Sequence, residues 1–218
     1  MTVAAPEHPL QCRCGTVKGF VRRPKRLTRC ICYCKDCQAF ARFLGRGDEI
    51  MDAQGGTDAI QIAPADVTFT QGKEALACLR LTEKGLLRWY AACCKTPIGN
   101  TPANSRLSVI GLVHSCLHEG TSPHGASSPE GGSRGGAASL DAFFGPVDVR
   151  VNTKSASGRV KSQPIALAWV IVRFAAMLAR ARMGGHKPTS FFSAAGEPLV
   201  TPKVLSRSEL NRLQSFSP

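Results

Sequence analysis

The chain has 218 residues, ten cysteines and a formal net charge of +13. That length suits one sizeable domain, or one domain with an extension, and the cysteine fraction stays below that of a disulfide-stapled secreted miniprotein. The charge points to acidic partners: nucleic acid, an anionic membrane surface or an anionic small molecule. No Ser-His-Asp arrangement, phosphate-cradling glycine loop, dinucleotide fingerprint or internal repeat is present.

Met1 to Leu10 lacks a basic segment followed by an apolar core, so no secretory signal is expected and a reducing cytoplasm is the expected compartment. There, clustered cysteines read as metal ligands before they read as disulfides. Residues 10–20 open with C-x-C-G at Cys12, Cys14 and Gly15 and continue into an alternating segment from Val17 to Val21. The pattern predicts a knuckle-like turn feeding a β-strand. The basic run from Arg22 to Arg26 has no aromatic interleaving, so a solvated loop is favoured there over a nucleic-acid contact.

Four cysteines fall between Cys30 and Cys37, the last three spaced C-x-C-x-x-C at Cys32, Cys34 and Cys37. Thiolates at such gaps can surround one zinc ion at about 2.3 Å in a tetrahedron, leaving one corner for the rest of the chain, water or substrate. Residues 30, 32 and 34 of an extended strand share one side, so Cys30 is a competitor for that corner. With Cys30 bound the site is closed and structural; with it free the site is open.

Ala39, Phe40, Phe43 and Leu44 share a helical face that stops at Gly45, placing Arg42 close to the cysteines. Short alternating segments at 59–63 and 67–70, separated by Pro64, predict strands of an antiparallel sheet. Leu76 to Leu81 and Leu86 to Ala91 predict a hairpin turning at Gly85, which delivers Cys93 and Cys94 to a second turn. Residues 107–117 predict a buried strand or short helix carrying His114 and Cys116, both read as core. Residues 118–139 are rich in Gly, Ser and Pro and predict a flexible loop. Residues 165–183 give a long apolar helix with Arg173 and Arg180 one heptad apart, packed on the sheet or lying at an interface and not spanning a membrane. The segment from Phe191 to Pro202 reads as loop, and Ser206 with Glu209 reads as the capping box of a last helix.

C-x-C-G at Cys12 and Cys14, C-x-C-x-x-C at Cys32, Cys34 and Cys37, and Cys94 followed by Thr96 and Pro97 together resemble the glutathione-dependent formaldehyde-activating enzyme family, which includes the centromere protein V group. The likeness spans roughly residues 10–115, and segments 38–100 and 165–205 look like an uncharacterised bacterial branch of it. It implies a mainly β fold, an Mss4-like zinc-held β-tent, here with a C-terminal helical extension. It also implies a structural zinc on Cys12, Cys14 and Cys94, and a second zinc on Cys32, Cys34 and Cys37. The second is tied to glutathione and the formation of S-hydroxymethylglutathione, the reverse of a carbon–sulfur lyase reaction.

This chain departs from the family at Ala91, where a cysteine is expected, at Lys95, where glycine is expected, and in the segment after Cys37. Cys93 is then the expected fourth ligand of the first zinc, with Cys30, Cys78 and Cys116 as competitors. The expected organisation is a zinc-binding β-domain at 1–117, a flexible loop at 118–140 and a helical extension at 141–218 packed on the β-domain. One or two zinc ions are the expected cofactors, with catalysis, if any, at Cys32, Cys34 and Cys37. A small anionic thiol such as glutathione is the expected partner, ahead of nucleic acid, with Lys35, Arg42 and the basic run serving its carboxylates. The alternative is a non-catalytic, zinc-stapled binding module with a basic surface. A third possibility is a redox or metal sensor using Cys30, Cys93 and their neighbours.

Overall fold

A computed structural model describes residues 6–24, 27–117, 135–183 and 189–215. The chain is sheet-rich. Strands β1 (Glu7–Gln11) and β2 (Lys18–Arg22) form an antiparallel hairpin, closed by the turn that carries Cys12 and Cys14. Next come β3 (Thr28–Cys32), α1 (Lys35–Phe43), α2 (Gly47–Ile50) and β4 (Thr57–Ile62). A 3₁₀ turn at Pro64–Asp66 then redirects the chain into β5 (Val67–Gln71), which pairs with β2 instead of β4. The two segments flanking Pro64 thus lie in different sheets, because the proline turn ends one ladder and aims the chain at the other. The three-stranded sheet β1-β2-β5 is held close at Gly19: a Cβ there would stand 2.1 Å from the Thr68 carbonyl oxygen.

The second sheet has eight strands. Its middle is built from β6 (Leu76–Arg80), β7 (Leu87–Ala91), β8 (Pro97–Thr101) and β9 (Ile110–Val113). The predicted hairpin at Gly85 is present as the β6–β7 pair. The C-terminal part supplies both edges: β10 (Val149–Val151) runs parallel to β3, and β11 (Lys203–Val204) runs parallel to β6. The strand order is β10-β3-β4-β9-β8-β7-β6-β11. Every residue of β7 is buried, and the Trp89 indole N–H donates to Thr101 Oγ1 at 3.0 Å. Phe191 and Phe192 close over that ring, with centroids 5.3 and 6.2 Å away. The segment after Phe191 is irregular as expected, yet its two aromatic residues belong to the core.

Among the described residues three further helices follow: α3 (Gly135–Phe144), α4 (Pro164–Met183) and α5 (Arg207–Ser215). The start of α3 lies inside the stretch expected to be loop, and Leu140 and Phe144 on it are buried; residues 118–134 lie outside the described residues. Helix α5 packs on α1 and is capped as predicted: the Ser206 backbone N–H donates to Glu209 Oε2 at 2.8 Å, and the Glu209 N–H donates to Ser206 Oγ at 3.2 Å. Helix α4 has its predicted extent and lies against β10. Ile165, Trp169, Ile171 and Val172 on it are more than half exposed. Among the described residues, no helix is long and apolar enough to cross a membrane.

Candidate metal centre

The turn between β1 and β2 is shaped by Gly15, whose φ of +76° lies in the left-handed region that a side chain would disfavour. That geometry lets the Gly15 N–H donate to the Cys12 carbonyl at 2.9 Å and the Val17 N–H donate to Cys12 Sγ at 3.2 Å. The turn between β7 and β8 carries Cys93 and Cys94, and its Thr96 hydroxyl accepts from the Arg13 N–H at 3.0 Å. This bond docks the two turns, and their four sulfurs lie within 4.8 Å of one another.

The sulfur separations are close to those of a metal group. Cys12 to Cys14 is 3.5 Å, Cys12 to Cys93 is 3.8 Å, Cys14 to Cys93 is 3.3 Å and Cys93 to Cys94 is 3.8 Å. Four sulfurs each about 2.3 Å from a central zinc stand about 3.8 Å apart. Cys12, Cys14, Cys93 and Cys94 can therefore hold a metal ion. The electrostatics agree with the spacing. Hydrogen bonds from the Thr16 hydroxyl and backbone N–H lower the Cys14 thiol to about 6. Burial and the neighbouring sulfurs push Cys93 up to about 12. Adjacent thiolates repel, so the set ionises fully only around a cation.

The second group assembles around the start of α1. Cys32 ends β3, Cys34 is the N-cap of the helix and Cys37 sits in its first turn. Their sulfurs also lie within 4.8 Å of one another, and Cys34 Sγ accepts from the Cys37 N–H at 3.4 Å. Hydrogen bonds from the Cys34 and Cys37 thiols, outweighing burial, hold Cys32 down to about 2, while hydrogen bonding to Cys32 and Cys34 pushes Cys37 well up. The positive end of the α1 dipole favours negative charge at this spot. These three residues can hold a metal ion, with one corner of a tetrahedron unfilled by the group.

The contacts of two residues were not legible in the sequence. Asn152, just past β10 and in a left-handed conformation (φ +57°), donates from Nδ2 to Cys32 Sγ at 3.3 Å. Gln38 donates to the carbonyls of Tyr33 and Ser155 at 3.0 and 2.8 Å, tying the cysteine turn to the segment after β10. Such partners orient metal ligands from outside.

The competitors sit elsewhere. Cys30, Cys78 and Cys116 are buried and belong to neither group among the described residues. Burial raises Cys30 to about 12, and Cys116 faces the carbonyls of Ile98 and Val113. His114 also belongs to neither group, and its Nδ1 lies 3.4 Å from the Asp58 carbonyl oxygen. Arg42, expected to serve a substrate carboxylate, instead donates to the Leu213 carbonyl at 2.9 Å and to Gln38 Oε1 at 3.2 Å, because α5 covers that face of α1. Lys35 is exposed, and the described part of the basic run is exposed at Arg22 and Arg23. A groove of about 690 Å³ lies between α4 and the Thr28 end of β3, at neither cysteine group.

The profile of a family of unknown function (DUF6151) matches residues 5–193, a span that includes every cysteine of both groups. The chain belongs to that family. No curated protein matches. A crystal structure of a Rhodobacter sphaeroides protein is similar at 20% identity and a TM-score of 0.35, covering 53% of this chain and 91% of that one.

In this DUF6151 member Lys95 stands in the β7–β8 turn with φ +58°, its N–H donating to the Ala91 carbonyl at 2.9 Å. A left-handed conformation costs a non-glycine residue about 1 kcal/mol. The ammonium stands 5.2 Å from the Tyr90 ring centroid, which offsets part of that cost. Lys95→Gly is expected to leave metal content unchanged and to raise stability by up to about 1 kcal/mol, read from urea unfolding. A loss of stability would mean that the Tyr90 contact outweighs the backbone strain.

Proposed function

We propose that this chain is a zinc protein with two centres of different kind. Cys12, Cys14, Cys93 and Cys94 form a closed staple. Cys32, Cys34 and Cys37 form a three-thiolate centre that takes its fourth ligand from outside the chain. The observation that carries this reading is Cys30, which stays out of the second group although only two residues from Cys32. Sulfur-only donors in a compact set favour zinc among common cellular metals, and a reducing cytoplasm would keep them as thiolates.

The three-motif likeness to glutathione-dependent formaldehyde-activating enzymes supports a function for the open centre: carbon–sulfur bond formation or cleavage on glutathione or a similar anionic thiol. The same likeness supports an Mss4-like arrangement of the sheets. When bound, zinc supplies a positive charge that keeps a coordinated thiol deprotonated at neutral pH. The protein's own part is positional. Asn152 holds Cys32, and Cys34 caps α1, so the three sulfurs present one face to an incoming thiol. In the forward reaction the thiolate sulfur bonds to the formaldehyde carbon. The carbonyl π pair moves to oxygen, and that oxygen takes up the proton the thiol gave up. Holding the two reactants together can lower such a barrier by several kcal/mol.

A non-catalytic zinc-stapled binding module is the second reading, favoured by the commitment of Arg42 to α5. Exchange NMR on mixed glutathione and formaldehyde separates the two. Acceleration by the wild-type chain, lost in Cys34→Ser with the fold retained, is the expected result. Equal exchange with and without protein, together with X-ray absorption showing four protein sulfurs at each zinc, would leave the binding module.

A further inference from the structure

Helix α4 has an apolar face turned away from the fold. Ala166, Val170 and Phe174 point toward the groove over the Thr28 end of β3. Ala168, Ala175 and Ala179 lie on the opposite side and are exposed, and Val172, which shares their helical spacing and is 59% exposed, stands where that stripe meets the margin of the groove. Ile165 (77% exposed) and Ile171 (58%) widen this stripe, and Trp169 (67%) stands at its border. No charged residue interrupts the stripe from Pro164 to Ala179, since Arg173 lies on the flank, 3.6 Å from Asp148.

The charge around the helix is one-sided. Between Asp148 and Glu197 there are eight Lys and Arg and no Asp or Glu. Arg150, Lys154, Arg159 and Lys161, just ahead of the helix, are all exposed. From this geometry we infer that α4 docks on the surface of an anionic lipid bilayer, lying in the interface with its outer stripe among the acyl chains and the flanking cations at the headgroups. Helices that combine an uncharged apolar face, a border tryptophan and surrounding Lys and Arg bind bilayer surfaces in this way. A second copy of the chain would bring one all-basic segment against another, which like-charge repulsion opposes. Nucleic acid would satisfy the charge but leave the apolar stripe in water.

The test is cosedimentation of the zinc-loaded full chain with vesicles of phosphatidylcholine, with and without about 30% phosphatidylglycerol. Binding to the anionic vesicles is expected to be at least about tenfold stronger than to neutral ones and to weaken with added salt. Trp89 is fully buried and Trp169 is not, so a blue shift on binding reports α4 directly. Val172→Glu, at an exposed position, is expected to weaken binding about tenfold without changing the melting temperature. Absence of binding to both vesicle types would overturn the inference. So would binding that Val172→Glu leaves unchanged, or a dimer in solution that this substitution breaks while vesicles are ignored.

Discussion

Removal of metal by a strong chelator is expected to unfold the chain or leave it aggregated, a loss on the order of 10 kcal/mol, as for structural zinc in small metal-held folds. The size of the effect follows from where the four sulfurs originate. Cys12 and Cys14 come from the turn of the three-stranded sheet, and Cys93 and Cys94 from a turn of the eight-stranded one. The centre therefore joins the two sheets. The Arg13 N–H bond to Thr96 between these turns is a neutral hydrogen bond, worth only about 1 kcal/mol. Leu10, Val17 and Val21 pack into the same core as Trp89, so the sheets keep an apolar contact, but four uncompensated sulfurs would sit at its rim. The near-UV signal should fall with metal content. Cys93→Ser should reduce zinc retention at one centre only, and Cys78→Ser should leave zinc content unchanged. An unaltered melting curve after verified metal removal would show that the sheets hold without the staple.

The cysteine groups were legible because turn motifs are local: C-x-C-G and C-x-C-x-x-C place their sulfurs together within a few residues. The hairpin at Gly85, the extent of α4 and the Ser206–Glu209 cap are local in the same sense. What the sequence did not disclose depends on contacts across long separations. Asn152 reaches Cys32 only because β10 adds in parallel to β3, a pairing that no local periodicity encodes. Phe191 and Phe192 sit in an irregular stretch with no strand or helix period, yet they fill the core over Trp89. Arg42 lies little more than one turn beyond Cys37, a local placement that points it at the site, but α5, distant in sequence, occupies it. In α4 the apolar pattern predicted a helix packed on the sheet or lying at an interface, and it left open what faces the outer stripe, which is exposed, since hydrophobicity specifies what a residue avoids and not what covers it.

Arg29→Met is expected to destabilise the fold by about 3–5 kcal/mol, the usual cost of breaking a buried ion pair from one side. Arg29 lies on β3 and is 3% exposed. Its Nε stands 3.1 Å from both Asp58 oxygens, and its Nη2 donates to Asp58 Oδ2 at 2.7 Å, joining β3 to β4. Its Nη1 donates to Asp141 on α3 and, at 2.9 Å, to the Gly145 carbonyl. The Arg29 backbone N–H donates to Asp148 Oδ2 at 2.9 Å, and the Asp148 N–H returns a bond to the Arg29 carbonyl at 2.9 Å. One guanidinium thus fastens α3 and the approach to β10 onto the sheet. Methionine matches its volume but leaves Asp58, only 17% exposed, as a charge without its partner. Asp141→Ala should cost much less, about 1 kcal/mol or under, because that carboxylate is 53% exposed and solvent screens it. The double change Arg29→Met with Asp58→Leu separates charge from packing. It should recover most of the stability lost in Arg29→Met, since an apolar pair of similar volume can replace a buried ion pair at little net cost. Urea unfolding of the three variants, compared with the native chain at constant zinc, reads these differences. An Arg29→Met chain that unfolds at the native midpoint would mean that the cluster contributes nothing net, and that β10 is held to β3 by its ladder alone.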